Sequence, residues 1–431
     1  MPDLLTEALN TLRGLGAPAE LRSLAEKGHA PAARPKVNIH IHLPPNFSAF
    51  DSVAQAVELA DEQDVRVVGV TNYYDYAVYG DFAARARKVG IVPLFGLEVI
   101  SLLDNLVRDG TLINDPNNPG RMYLCGKGTL GVADPSPRAG ELLSTIRRND
   151  TERMAEITRR VAALFAEAGL ETGLDDSGVI DRIVARHGCR RDSVTLQERH
   201  VAMAFQEALF ERVPTERRRA FLSRLYGGAE PKAVEEPVKV QGELRSRLIK
   251  SGGAAFVPET FLAFGEAYEL VLALGGIPCY PTLADGADPV CPYEDPPEEL
   301  IERLRGRNIH MAEFIPIRNT PAVLERYVRA MRSAGIAVVA GTEHNTLDLL
   351  PLEPACTGGA PIGEPLKDIF WEGACVVAAH QFLRLQGEAG FVDEAGKPNA
   401  NYATANERVA AFARLGAAVI REYFGAWRAG S

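Results

Sequence analysis

The 431-residue chain lacks any apolar run of membrane-spanning length. Its longest, Val65–Val70 (interrupted by Arg66) and Ile336–Gly341, fall far short of the roughly 20 residues a bilayer core requires. No cationic stretch leads an apolar core at the amino end, where MPDLLTEALNTLRGLG carries an acid at position 3 and reads as an amphipathic helix instead of a signal peptide. Cysteine is sparse, and the residues at 125, 189, 279, 291, 356 and 375 show no CxxC spacing. That excludes a zinc knuckle and a disulfide framework, and implies reduced thiols in a cytoplasmic compartment. Basic excess is also missing. A net charge of −10 argues against a protein that tracks a nucleic-acid backbone and leaves a small molecule as the expected partner. Neither a dinucleotide fingerprint at a βα turn nor GxxxxGK[ST] occurs, so the phosphate-cradling open sheets lose support. Nothing in the composition fixes an oligomeric state.

What is present centres on VNIHIHLPPN, residues 37–46. Asn38, His40 and His42 alternate with apolar residues, the period of a β-strand with one polar face. The two imidazoles then stand roughly 6.5–7 Å apart at Cβ, near enough for both rings to reach one cation. Pro44 and Pro45 end the strand, placing His42 at its carboxyl end. The plain alternative is a surface strand with two solvated histidines.

Along the chain, short β-branched or apolar runs at 66–71, around IVPLFGLEV ending near Glu98, and at 121–126 alternate with helical stretches. Between about 131 and 254 the strands disappear and helical patterns dominate; strands resume at 277–284, 310–317 and 336–342. This predicts an N-terminal helix and linker (1–34), a first barrel part (35–130), an α-helical insertion (131–254), a second barrel part (255–364) and C-terminal helices (365–431). Seven parallel strands in a βα series can close as a barrel or lie open. Polar residues gather at their carboxyl ends: His40 and His42, Asn72, Glu98, Tyr123 and Lys127, Tyr280 and Asp285, Glu313 and Arg318, then Glu343 and His344. In parallel barrels that is where catalytic groups converge.

At these residues the chain resembles the PHP (polymerase and histidinol phosphatase) family of metal-dependent hydrolases. The resemblance rests on HIH at 40–42, GVTNYYDY at 69–76, GLEV at 96–99, CYPT at 279–282 and GTEH at 341–344. It covers the barrel parts and not the insertion. It implies a distorted seven-stranded (β/α) barrel, up to three metal ions, often zinc, manganese or iron, and hydrolysis of phosphate esters. The motifs are degenerate. Asn72–Tyr73 stand where the family has Asp-His, Tyr123 at or near a strand-four histidine, Tyr280 at the AHP histidine and Asn345 at the last one. His40, His42, Glu98 and an acid at Glu343 are retained, a set suited to one or two divalent ions and not to three.

The expected metal ligands are therefore His40, His42, Glu98, Glu343 and His344, with Glu98, Glu343 and Tyr280 as catalytic candidates. Lys127, Arg318, Asn72, Tyr73 and Tyr123 are candidates for holding an anionic substrate, Arg318 because a guanidinium fork matches carboxylate or phosphate. Each has a plainer reading: a carboxylate before a helix caps it, a lysine or arginine makes an ordinary ion pair, and a tyrosine fills space. The function expected is a metal-dependent hydrolase acting on a small anionic metabolite at a phosphoester, C–O or C–N bond, with the insertion able to cover the mouth. The alternative is a degenerate barrel that binds a small ligand or a protein without turnover.

Overall fold

The computed structural model describes residues 4–27, 34–132 and 134–430. Residues 28–33 of the expected linker lie outside them. Two compact units emerge, one built from residues up to 43, 52–143 and 262 onward, the other from 44–51 and 144–261.

The first unit is a barrel. Its strands are β1 (Lys36–Ile41), β2 (Val65–Val70), β3 (Val92–Leu102), β4 (Arg121–Lys127), β5 (Leu262–Ala263), β6 (Ile277–Thr282), β7 (Met311–Phe314) and β8 (Ala337–Ala340). They hydrogen-bond in the order β1-β2-β3-β4-β6-β7-β8, with the two-residue β5 added to β3. The ends nearly meet. A single parallel bridge, Ile41↔Glu343, joins β1 to the residues after β8. Helices cover the outside for the usual reason: one apolar stripe faces the sheet, as with Leu324, Tyr327, Val328 and Met331 of Pro321–Ser333. Ser52 starts the helix Val53–Glu62 by accepting the Gln55 amide on its side chain. The carboxyl-terminal helices Glu364–Leu385 and Ala405–Gly430 pack closely because Gly416 has no Cβ to strike the Cys375 carbonyl.

Two expectations are corrected. The amino-terminal segment forms two helices, Leu4–Arg13 and Pro18–Glu26, since Gly16 sits at φ +142° and Pro18 opens the second. The strands are also not all parallel, because β4 runs antiparallel to both β3 and β6. The link from β3 to β4 carries only the five-residue helix Asp104–Arg108, which buries no residue and cannot serve as a crossover helix, so the chain returns as an antiparallel partner. Lys127 then pairs with Gly96 and with Ile277 at the start of β6, deeper in the barrel, whereas Tyr123 pairs with Ile100 beyond Glu98. Lys127 is thus the last residue of β4, as expected, but the reversed direction sets it beside the first residue of β6 and not with the carboxyl ends of the parallel strands.

The second unit is helical. Its core joins Met154, Ile157, Val161 and Phe165 to Phe205, Phe221 and Leu222, with Phe165 packed on both Phe205 and Phe221. Among the described residues no helix is long and apolar enough to cross a membrane.

Candidate metal centre

His40 on β1 and His42, one residue past its end, bring their ring Nε2 atoms together at 1% and 0% exposure, which removes the reading of a solvated surface strand. Gly341 makes room for them: a side chain there would collide with His40 Cβ. The third member, Glu98, lies on β3 just past its last pairing with β2, fixed by its own amide on Asn72 O at 3.2 Å. The Asn72 side chain is framework. Its amide oxygen accepts from Leu43 N at 2.8 Å and its amide nitrogen donates to Leu43 O at 3.0 Å.

Three ligand-type atoms converge here. His40 Nε2 and His42 Nε2 are 3.2 Å apart, Glu98 Oε2 lies 3.1 Å from His42 Nε2 and 3.7 Å from His40 Nε2, and all three side chains are buried. Atoms bonded to one cation at 2.0–2.1 Å are about 2.9–3.4 Å apart for angles between 90° and tetrahedral, so two of the three separations fit a divalent ion directly and the 3.7 Å one corresponds to a wider angle of about 130°. Glu98 Oε2 supports the same fit, for this buried oxygen has no aligned hydrogen-bond donor despite its proximity to His42.

A second layer holds the first. Glu313, at 0% exposure on β7, accepts from His40 Nδ1 at 2.9 Å on one oxygen and from Lys127 Nζ at 2.8 Å on the other. Burial alone would raise the Glu313 pKa, but His40 and Lys127 outweigh it and hold the carboxyl down to about 2. Because an ionised carboxylate only accepts, Nδ1 of His40 carries the hydrogen, and in the neutral ring its Nε2 keeps a lone pair for a metal. Burial lowers the His42 pKa as well, which favours the neutral ring a metal needs.

Glu343 stands at the rim. Arg318 grips it with two nitrogens, one at 3.0 Å, and Asn345 Nδ2 donates to it at 2.6 Å. Despite the cost of burial, Arg318 keeps the Glu343 carboxyl below its ordinary range. Glu343 and His344 both adopt positive φ, +57° and +54°, a conformation that strains side chains of this size. Hydrogen bonds to β1 enforce it, His42 N to Glu343 O and Glu343 N to His40 O, each 2.8 Å. The turn leaves His344 outside the converging group, with its ring nitrogens on Thr342 Oγ1 at 2.7 Å and Leu350 O at 2.9 Å.

The remaining candidates separate into rim and frame. Tyr73 stacks on His42 with ring centroids 5.0 Å apart, and burial, together with the nearby Glu98, pushes its hydroxyl pKa well up. Arg318 keeps 39% of its side chain exposed, and against the cost of burial Glu343, with Glu98 farther down, holds its guanidinium charged. Tyr280 is fully buried and its hydroxyl donates to Glu294 at 2.8 Å, so it is not brought into the group. Asp285 accepts from Asn319 and Thr320, as a turn residue does. Sequence reasoning noted Glu313 but gave it no role. The available signal was one acid inside an apolar strand, matched by one lysine at the end of another.

No family model matches the chain, and no curated protein matches it in sequence. Solved structures do match in fold. A presumed metal-dependent phosphoesterase from Bifidobacterium adolescentis is similar with a TM-score of 0.52 and 12% identity over 79% of this chain and 96% of that one. An amidohydrolase from Chromobacterium violaceum, determined with bound sulfate and no metal, gives a TM-score of 0.48 and 15% identity over 78% and 96% of the two chains. The first of these bears out the distorted-barrel architecture.

Proposed function

We propose that the chain is a metal-dependent hydrolase of the PHP type, acting on a small anionic metabolite at a phosphoester, C–O or C–N bond. The observation that supports this most is the convergence of His40 Nε2, His42 Nε2 and Glu98 Oε2, with the Glu98 oxygen lacking an aligned donor. A divalent ion held by these three would supply an activated water at neutral pH and draw charge from the substrate oxygen. Zinc, manganese and iron all suit imidazole and carboxylate donors.

The chain's own groups then divide the work. Glu98 is the carboxylate nearest the reacting centre and takes the proton released by the attacking water. Arg318 offers a fork to the anionic group, and Glu343 holds that fork at the rim until the substrate arrives. Tyr73 and Tyr123 bound the substrate there, whereas Tyr280 acts indirectly by tying its strand to Glu294. The prior engagement of Arg318 by Glu343 is also what favours the second reading, a barrel that binds a ligand without turnover.

A substrate panel separates the readings. Protein purified without chelator, then loaded with zinc or manganese, is assayed on phosphomonoesters, phosphodiesters, lactones and cyclic amides. The proposal expects hydrolysis of at least one class, abolished by chelator and reduced at least 100-fold by Glu98→Gln. Metal uptake without turnover on any class would favour ligand binding, and turnover indifferent to chelator would contradict both.

A further inference from the structure

Lys127 is 1% exposed, and a buried ammonium persists only where its donors are engaged. It has three, and three acceptors surround it: Glu313 Oε1 at 2.8 Å, Ile39 O at 3.2 Å and Thr71 Oγ1 at 3.3 Å. None remains for a substrate. The side chains instead form one line, from Lys127 through Glu313 to His40 Nδ1, and across the ring to the point shared with His42 and Glu98.

A second set of ligand-type atoms converges just inside the first, contributed by His40, Cys125 and Glu313. Lys127 Nζ already lies against the Glu313 carboxylate of that set. A divalent ion added there would face the ammonium at close range in a medium that screens charge poorly.

We propose that Lys127 is a positioning residue and the resident cation of this inner position, which makes the metal centre mononuclear. Its ammonium holds Glu313 in place, and Glu313 fixes His40 as the tautomer protonated on Nδ1, so that Nε2 points bare toward the metal. This rests on the metal reading given under Proposed function, but the tautomer link is present in the metal-free protein and can be read there.

The test uses the full chain, stripped with chelator, with nitrogen-15 in its histidines, and the variants Lys127→Met and Glu313→Gln. Long-range proton–nitrogen spectra report the tautomer, and His40→Gln identifies the His40 signals by their loss. Wild type should show His40 with a protonated Nδ1 and bare Nε2, and both variants should lose that pattern. In zinc titrations wild type should take up one equivalent, and each variant should bind 10- to 100-fold more weakly. Should Lys127→Met fail to fold by circular dichroism, Glu313→Gln, which keeps the shape and removes the charge, decides alone. Two equivalents in wild type would overturn the proposal. So would variants that bind zinc within twofold of wild type with His40 signals unchanged. No zinc uptake by wild type would overturn the metal reading and the mononuclear claim with it, while the His40 spectrum would still decide the Lys127 link.

Discussion

Two buried carboxylates in this molecule, Glu198 in the helical unit and Glu98 in the barrel, are treated in opposite ways. Glu198 is surrounded by cations: Arg153 at 2.8 Å, with Arg245 and Lys250 each at 3.1 Å. Burial would raise its pKa, yet Lys250, Arg245 and Arg153 hold it far below the carboxylate range. Glu98 faces two imidazole nitrogens and no aligned donor on Oε2. The first is a finished ion network that needs nothing more. The second is a set of ligand-type atoms within 3.1–3.7 Å of one another, and around it the carboxylates Glu98, Glu313 and Glu343 outnumber the cations Lys127 and Arg318. Burial and charge alone do not mark a functional site; the distinguishing feature is whether the protein supplies its own counter-charges.

That contrast can be broken at several points. The largest effect should follow the loss of both imidazoles: His40→Ala with His42→Ala should lower bound zinc or manganese from near one equivalent to background in elemental analysis, with the helical unit's circular dichroism retained. Equal metal in variant and wild type would erase the difference between the two carboxylates. Glu198→Ala should do the converse, leaving metal content unchanged while costing about 3–5 kcal/mol in denaturant unfolding, because three buried or half-buried cations lose their partner. Its depressed pKa also means that the stability Glu198 contributes is complete above the unfolded carboxyl pKa and is lost as pH falls below it.

A third carboxylate tests the sign of the argument. Burial raises Glu294 to about 7, opposed by hydrogen bonds from the Leu283 and Ala284 amides and Tyr280. With a folded pKa above the unfolded one, stability is fully present below the unfolded pKa and is lost as pH rises through about 7. Buried His200, His310 and His380, whose pKa values burial lowers, act in the opposite sense over the same range, so the effect is read as a difference: from pH 5 to 8 wild type should lose on the order of 2–3 kcal/mol relative to Glu294→Gln. Parallel pH profiles for the two proteins would contradict the raised Glu294 pKa. The smallest effect belongs to His344. With both ring nitrogens engaged by Thr342 and Leu350, His344→Gln should change zinc affinity less than twofold in a competition titration.

The sequence made part of this legible for definite reasons. Alternation in VNIHIH puts His40 and His42 on one strand face, and the apolar run through IVPLFGLEV marks the strand that carries Glu98, although the strand continues past it to Leu102 along the antiparallel β4. The direction of β4 was not legible, since RMYLCG reads alike in either sense and only the weakness of the preceding helix turns it back. Glu313 was visible but unassigned because its partners His40 and Lys127 are 273 and 186 residues away. Nor did anything local mark residues 44–51 as belonging with the helical unit, since that grouping depends on contacts such as Phe47 N with the Gln197 side chain at 2.7 Å.

Anomalous diffraction from crystals of the zinc-loaded full chain tests the central claim most directly. The account predicts one strong peak per chain, within about 2.0–2.2 Å of His40 Nε2, His42 Nε2 and Glu98 Oε2. A peak elsewhere, or none at those atoms under saturating zinc, would contradict it.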